Sequence, residues 1–154
     1  MDILIKNARL SDDQSLTDIA IEAGKISKIA PSIEGEAARV IDAEGRVVIP
    51  GLVESHIHLD KALIASSKPN KSGTLKEAIE VTAELKPTFT KEDIYDRAKK
   101  VLDMIIPNGV TAIRTHSEFD PAQGFTGFEV ILKLKEEYKK FVDIQVVAFP
   151  QEGI

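Results

Sequence analysis

The sequence predicts an α/β protein in which a small β unit precedes parallel strands joined by helical crossovers. Two observations carry this expectation. Up to Ile49, short apolar runs alternate with glycine-containing or charged turns, the grammar of strand-turn-strand. After Pro50-Gly51, β-branched runs alternate with longer stretches whose apolar residues recur at helical spacing, the grammar of strand-helix-strand. The expected division is one unit over residues 1–49 and a second over residues 50–154.

Composition agrees with a folded chain. With 154 residues, 43% of them apolar, the protein can bury a core and is not disordered. Its 20 Lys and Arg against 25 Asp and Glu leave a net charge of -5, and no basic run is interleaved with aromatics, which argues against a nucleic-acid partner. The absence of cysteine excludes disulfides and thiolate metal sites. Charges interrupt every hydrophobic run, so no membrane span is expected, and the cytoplasm is the expected location.

In chain order, Asp2 to Lys6 reads as a strand, and Asp18–Glu22 and Lys25–Ile29 alternate around Ala23-Gly24 as a hairpin does. Arg39–Asp42 and Arg46–Ile49, around Ala43-Glu44-Gly45, repeat the hairpin pattern, which makes the first unit an antiparallel one. The next strand is Pro50 to Asp60. Alternation along it would set Glu54, His56, His58 and Asp60 on one face and Val53, Ser55, Ile57 and Leu59 on the other. Two imidazoles two residues apart then converge on one point, an arrangement that suits a divalent metal ion.

A loop rich in Ser, Pro and Asn runs on to Gly73, at the end of a strand where α/β folds build active sites. Thr74 with Glu77 reads as a capping box that opens a helix ended by Pro87, and Thr90 with Asp93 reads as a weaker cap. Ile94, Ala98, Val101 and Ile105 form the core stripe of that second helix, which Pro107-Asn108-Gly109 stops. Val110 to His116 is a strand whose terminal histidine could line the same mouth as His56 and His58. Glu118 and Asp120 read as solvated loop charges. A third helix, begun after Gly124 and Gly127, has Phe128, Ile131, Leu134, Tyr138 and Phe141 as its stripe, and Lys133 to Lys140 reads as its wet face. Val142 to Phe149 is apolar enough for a strand covered on both faces, and Gln151 beyond it is placed to read a substrate by hydrogen bonding.

Several motifs together resemble the amidohydrolase superfamily and, within it, the cytosine deaminase branch. They are Val48-Ile49-Pro50-Gly51-Leu52-Val53-Glu54-Ser55-His56-Ile57-His58-Leu59-Asp60-Lys61, Ser72-Gly73-Thr74-Leu75, Asn108-Gly109-Val110, Arg114-Thr115-His116, and Asp143 to Ile154. A related triazine-ring aminohydrolase shares the Arg-Thr-His and Asp-Ile-Gln-Val-Val-Ala-Phe elements. The resemblance implies that residues 1–49 belong to a small β-sandwich and that residues 50–154 are the first three β/α units of a (β/α)8 barrel. It also implies that His56 and His58 ligate one divalent metal ion, zinc or iron, that Gln151 contacts the ring edge of the substrate, and that Leu75 lines the pocket. His116 matches a histidine of the pattern as a possible site-lining residue. The chain departs from the pattern at Ser117-Glu118-Phe119-Asp120, where a shorter Val-Asp is usual, and in the loop before Ser72.

The implied activity is metal-dependent hydrolysis of the exocyclic amino group of cytosine or a similar heterocycle. The alternatives are an amino-triazine or a cyclic amide as substrate, or a non-catalytic assembly module. A whole barrel takes ~250 residues, so the remaining ligands and the general acid/base are expected after residue 154. The chain is accordingly expected to be an inactive fragment by itself, and to pair with the rest of its barrel or with copies of itself through the open edge of its last strand.

Overall fold

The computed structural model describes residues 1–12 and 15–151, and the chain falls into two compact units, Met1–Pro50 and Gly51–Ile154. The final Glu152-Gly153-Ile154 of the last motif lies outside the described residues.

The first unit is a four-stranded sheet built from β1 (Ile3–Ala8), β2 (Thr17–Glu22), β3 (Lys25–Ala30) and β4 (Arg39–Asp42), in the order β3-β2-β1-β4. Strands β2 and β3 pair antiparallel through Ala23 and Gly24, both at positive φ (51° and 73°), as a two-residue hairpin requires. The expected second hairpin does not form. Strand β4 instead runs parallel to β1, Ile3 opposite Arg39, and Val47 makes a parallel bridge to Arg9. Both limbs of the Ala43-Glu44-Gly45 turn hydrogen-bond to the β1 side, Ala43 N to Lys6 O and Val48 N to Arg9 O, because β1 offered an unpaired edge. The sheet is therefore mixed, not antiparallel.

The second unit is built on three parallel strands, β5 (Leu52–Ile57), β6 (Val110–Glu118) and β7 (Asp143–Phe149), in that spatial order. Helices α1 (Leu75–Leu85) and α2 (Lys91–Ile105) cross from β5 to β6, and α3 (Thr126–Tyr138) crosses from β6 to β7. Ile94, Ala98 and Leu102 of α2, Ile131 and Leu134 of α3, and Ile113 and Ile144 of the sheet are buried in one core with Leu59. Burying each such side chain contributes about 1.5–3 kcal/mol, and this sets α2 and α3 against one face of the sheet.

The helix starts agree with the sequence, with one difference. Thr74 and Thr90 cap α1 and α2 by accepting from the backbone N–H of Glu77 and Asp93. Glu77, however, does not reach back to Thr74. Its carboxylate accepts from Lys71 N and Ser72 N, tying down the loop before the helix, while Thr74 N uses the Ser72 hydroxyl. Asp93 turns forward to pair with Arg97.

Two expectations of burial are corrected. Helix α3 begins at Thr126, so Gly127 lies inside its first turn, and Phe141 is 65% exposed beyond its last turn, while Val130, outside the expected stripe, is buried. Strand β7 is not covered on both faces, because Asp143 and Gln145, on the face opposite buried Ile144, are exposed.

Gly51 explains part of the Pro50-Gly51 motif. A Cβ there would clash with Oγ1 of Thr111 on β6 and stand 2.8 Å from its Cβ. A β-branched neighbour cannot swing clear of that contact. Gly51→Ala should therefore cost about 1–3 kcal/mol in a urea titration, as overpacking does, and Thr111→Ala in the same chain should recover part of it. An unchanged midpoint would refute this close approach.

Candidate metal and substrate site

The site forms where the three parallel strands end. In the registers observed, Ile57 pairs with Thr115 and Thr115 with Val146, so the carboxyl ends of β5, β6 and β7 lie side by side. The uniform alternation expected for β5 does not hold. Glu54 aligns with Ile113 and Ile57 with Thr115, three steps of β5 against two of β6, which is a β-bulge. The bulge leaves Glu54 and Ile57 in phase with the buried residues of β6 and aims His56 and His58 to the opposite face.

Asp60 is also corrected. His58 leaves the strand with φ -117° and ψ 87°, and Leu59–Lys61 form a turn of 3₁₀-helix in which Asp60 is 1% exposed. Two bonds clip this turn to β6: Leu59 N donates to the Thr115 hydroxyl (3.1 Å), and Glu118 N donates to Asp60 Oδ2 (2.8 Å). Gly127 leaves room beside it: a Cβ at that position would meet Asp60 Cβ at 3.2 Å. Burial pushes the Asp60 carboxyl above its usual pKa, with the Glu118 amide opposing and the Glu118 charge adding to the rise.

The three histidines meet. His56 Nε2 and His58 Nε2 are 3.4 Å apart, and the His116 ring lies 4.3 Å from that of His56 and 5.6 Å from that of His58, centroid to centroid. Phe149 packs edge-on against His58 and His116, at 5.2 and 6.0 Å. Burial, and next the charge of Lys61, push the His58 pKa down to about 4, with the His116 backbone pulling the other way, so the ring is neutral near pH 7. Nδ1 of His116 is buried without a hydrogen-bond partner.

The pair fits an ion. Two nitrogens each about 2.0–2.1 Å from a tetrahedral centre stand about 3.4 Å apart, which is the separation of the two Nε2 atoms. Among the described residues no group of three or more His, Asp or Glu is arranged to hold a metal ion, so the two rings would make up only part of a ligand set.

Beside the rings lies a buried chain of charges, which corrects the expectation of solvated loop carboxylates. Glu118 is 1% exposed and Asp120 6%. Lys86, whose side chain is 0% exposed, lies 2.8 Å from Glu118 Oε2 and 2.9 Å from Asp120 Oδ2. Lys61 pairs with the other oxygen of Glu118 and donates to Gln151 Oε1 at 2.7 Å. Asp120 Oδ1 accepts from Ala122 N and Gln123 N, both at 3.0 Å. Although burial works against it, Lys86 and these amides hold the Asp120 carboxyl below its usual pKa. No local pattern reveals this chain, because its members are 57 and 34 residues apart. The one signal is a lysine, Lys86, between apolar Leu85 and Pro87 with no carboxylate at helical spacing behind it.

Of the residues singled out from the sequence, the structure gathers His56, His58 and His116, and joins Gln151 to the same strand ends through Lys61. Leu75 is not brought in: it opens α1 with 77% of its surface exposed.

An α/β layer with histidines gathered at the carboxyl ends of its parallel strands has the form of the active-site face of a β/α barrel. Residues 39–154 match the model of the amidohydrolase family, and the chain belongs to that family. It is 36% identical to N-isopropylammelide isopropyl amidohydrolase of Pseudomonas sp. (strain ADP), over 99% of this chain and 39% of that protein. It superposes on 5-methylcytosine deaminase from Klebsiella pneumoniae, solved with 5-fluorocytosine, at a TM-score of 0.86 and 38% identity, covering 98% of this chain and 37% of the other. Atrazine chlorohydrolase of Arthrobacter aurescens, solved with zinc, shares the fold at a TM-score of 0.73 and 20% identity, over 95% of this chain and 35% of its own. The second unit thus has the fold of the first part of an amidohydrolase barrel, and the chain spans well under half the length of these relatives. Members of the family depend on a metal ion. Among the described residues no helix is long and apolar enough to cross a membrane.

Proposed function

We propose that this chain, within its full-length protein, serves a metal-dependent hydrolase that removes an exocyclic amine from a nitrogen heterocycle. The observation that carries the reading is the 3.4 Å separation of His56 Nε2 and His58 Nε2 at the mouth of parallel strands. His56 and His58 would hold the ion. When bound, a divalent ion supplies Lewis-acid polarisation and lowers the pKa of water towards ~7.

The chain's own residues do the rest of what falls to this half of the site. His58 stays neutral near pH 7, so its lone pair is available without a proton having to leave. Phe149 walls the two rings His58 and His116 and keeps water from that side. Gln151, held at the end of β7, hydrogen-bonds the ring edge of the substrate and turns the amine-bearing carbon toward the histidines. The relatives named for 5-methylcytosine and N-isopropylammelide support a six-membered azine carrying both an oxo group and an exocyclic amine.

The test is amine release by the full-length protein from 5-methylcytosine, cytosine and N-isopropylammelide. Hydrolysis of at least one is expected. Failure on all three with metal bound would overturn the substrate class.

A further inference from the structure

Gln151 has an amide whose oxygen and nitrogen can exchange places by a half-turn, so a free glutamine reads a donor or an acceptor equally well. Here it is not free. An ammonium group has three donors and no acceptor, so the amide atom 2.7 Å from Lys61 Nζ must be oxygen. With the oxygen turned to Lys61, which occupies one of its two lone pairs, the amide turns its N–H group to the opposite side.

Lys61 is itself held. Its side chain is 13% exposed and pairs with Glu118, whose other oxygen is 2.8 Å from the buried Lys86, and Lys86 in turn is 2.9 Å from Asp120. Glu118 is further fixed by its backbone bond to Asp60. Lys61 Nζ also stands 5.5 Å from the centroid of Phe149, the ring that touches His58 and His116. The chain of charges thus ends on one amide, at the edge of the histidine cluster. A network with both oxygens of its central carboxylate occupied leaves Lys61 little freedom to let go.

We propose that Lys61 is a positioning residue that locks the Gln151 amide with its N–H outward, selecting azines that present a carbonyl oxygen to it. The class is a ring in which the carbonyl carbon and the amine-bearing carbon flank one ring nitrogen, a pattern common to 5-methylcytosine and N-isopropylammelide. A ring that offers an N–H at that place meets a donor with a donor and is rejected. The inference rests on the reading of Gln151 as the residue that faces the ring.

The test uses the full-length enzyme with 5-methylcytosine and N-isopropylammelide as probes, and the variants Lys61→Met, Lys61→Arg, Gln151→Ala and Lys61→Met/Gln151→Ala. Lys61→Met should raise KM for a turned-over probe about tenfold, the cost of a buried amide that no longer holds one orientation, with kcat little changed. Lys61→Arg, which keeps the donor, should restore most of the loss. In the Gln151→Ala background the Lys61→Met effect should vanish, because the group it acts through is gone. Persistence of the full effect in that background overturns the proposal and leaves the reading of Gln151 standing. An unchanged KM in Gln151→Ala alone overturns the reading of Gln151, and the proposal with it. If Lys61→Met does not fold by thermal melting, Gln151→Glu replaces it: this keeps a partner for Lys61 but has no N–H, so KM should rise as in Gln151→Ala, and a wild-type KM refutes the proposal.

Discussion

Lys86→Met should destabilise the protein by about 3–5 kcal/mol, the usual cost of leaving buried charges without their partner. That is a large share of the roughly 5–15 kcal/mol that holds a typical domain together. Methionine replaces the lysine stem as far as Cε, so lost packing is confined to about one atom. The cost arises because Glu118 and Asp120, with side chains 1% and 0% exposed, lose the cation that both touch. Urea titration of Lys86→Met against the parent measures it. The triple variant Lys86→Met/Glu118→Gln/Asp120→Asn should regain more than half of the loss, since neutral amides cost less to bury than carboxylates that have lost a cation. A change of under about 1 kcal/mol for Lys86→Met, the range of an exposed ion pair, would show that water reaches this chain of charges.

The second large effect falls on the metal. In the full-length protein, His56→Ala/His58→Ala should lower metal affinity by more than the roughly 10–100-fold typical of losing an outer-shell partner. Two of the nitrogens that converge at 3.4 Å would be gone together. Metal content after dialysis against a weak chelator is the measurement. The same variant should keep a near-native melting curve without metal, because His56 is exposed and His58 only half-buried, so neither anchors the core. Metal retained at the parental level would remove the reading of these residues as ligands, and the hydrolase proposal would lose the observation that carries it.

How far the sequence can be read differs from element to element. The caps at Thr74 and Thr90, the hairpin at Ala23-Gly24 and the stripe Ile94, Ala98, Val101 are local matters, set by a side chain and an amide a few residues apart. Strand β4 cannot be read this way. Whether Arg39–Asp42 pairs with Arg46–Ile49 or with β1 depends on which edge lies open, and that edge belongs to a segment some 35 residues earlier.

The site divides along the same line. Two histidines two residues apart, and a third closing a β-branched run, are visible in the chain as written. That the first two share a face follows from alternation; that His116 meets them does not, because it depends on a bulge between Glu54 and Ile57 that sets which face of β5 lies beside it. The burial of Glu118 and Asp120 is hidden for a related reason. A carboxylate in a loop is solvated unless a cation is buried with it, and the cations here, Lys61 and Lys86, arrive from other parts of the chain.

By itself, then, the sequence determined the kinds of element, most of their ends and the residue types able to bind an ion, since these depend on backbone sterics and on contacts within a few residues. Only the tertiary structure decided the parallel pairing of β4, the meeting of the His116 ring with the other two, and the line of charges from Asp120 through Lys86, Glu118 and Lys61 to Gln151. The physical reason is that burial alters what a charge costs, and burial is a property of the whole packed unit and not of any stretch within it.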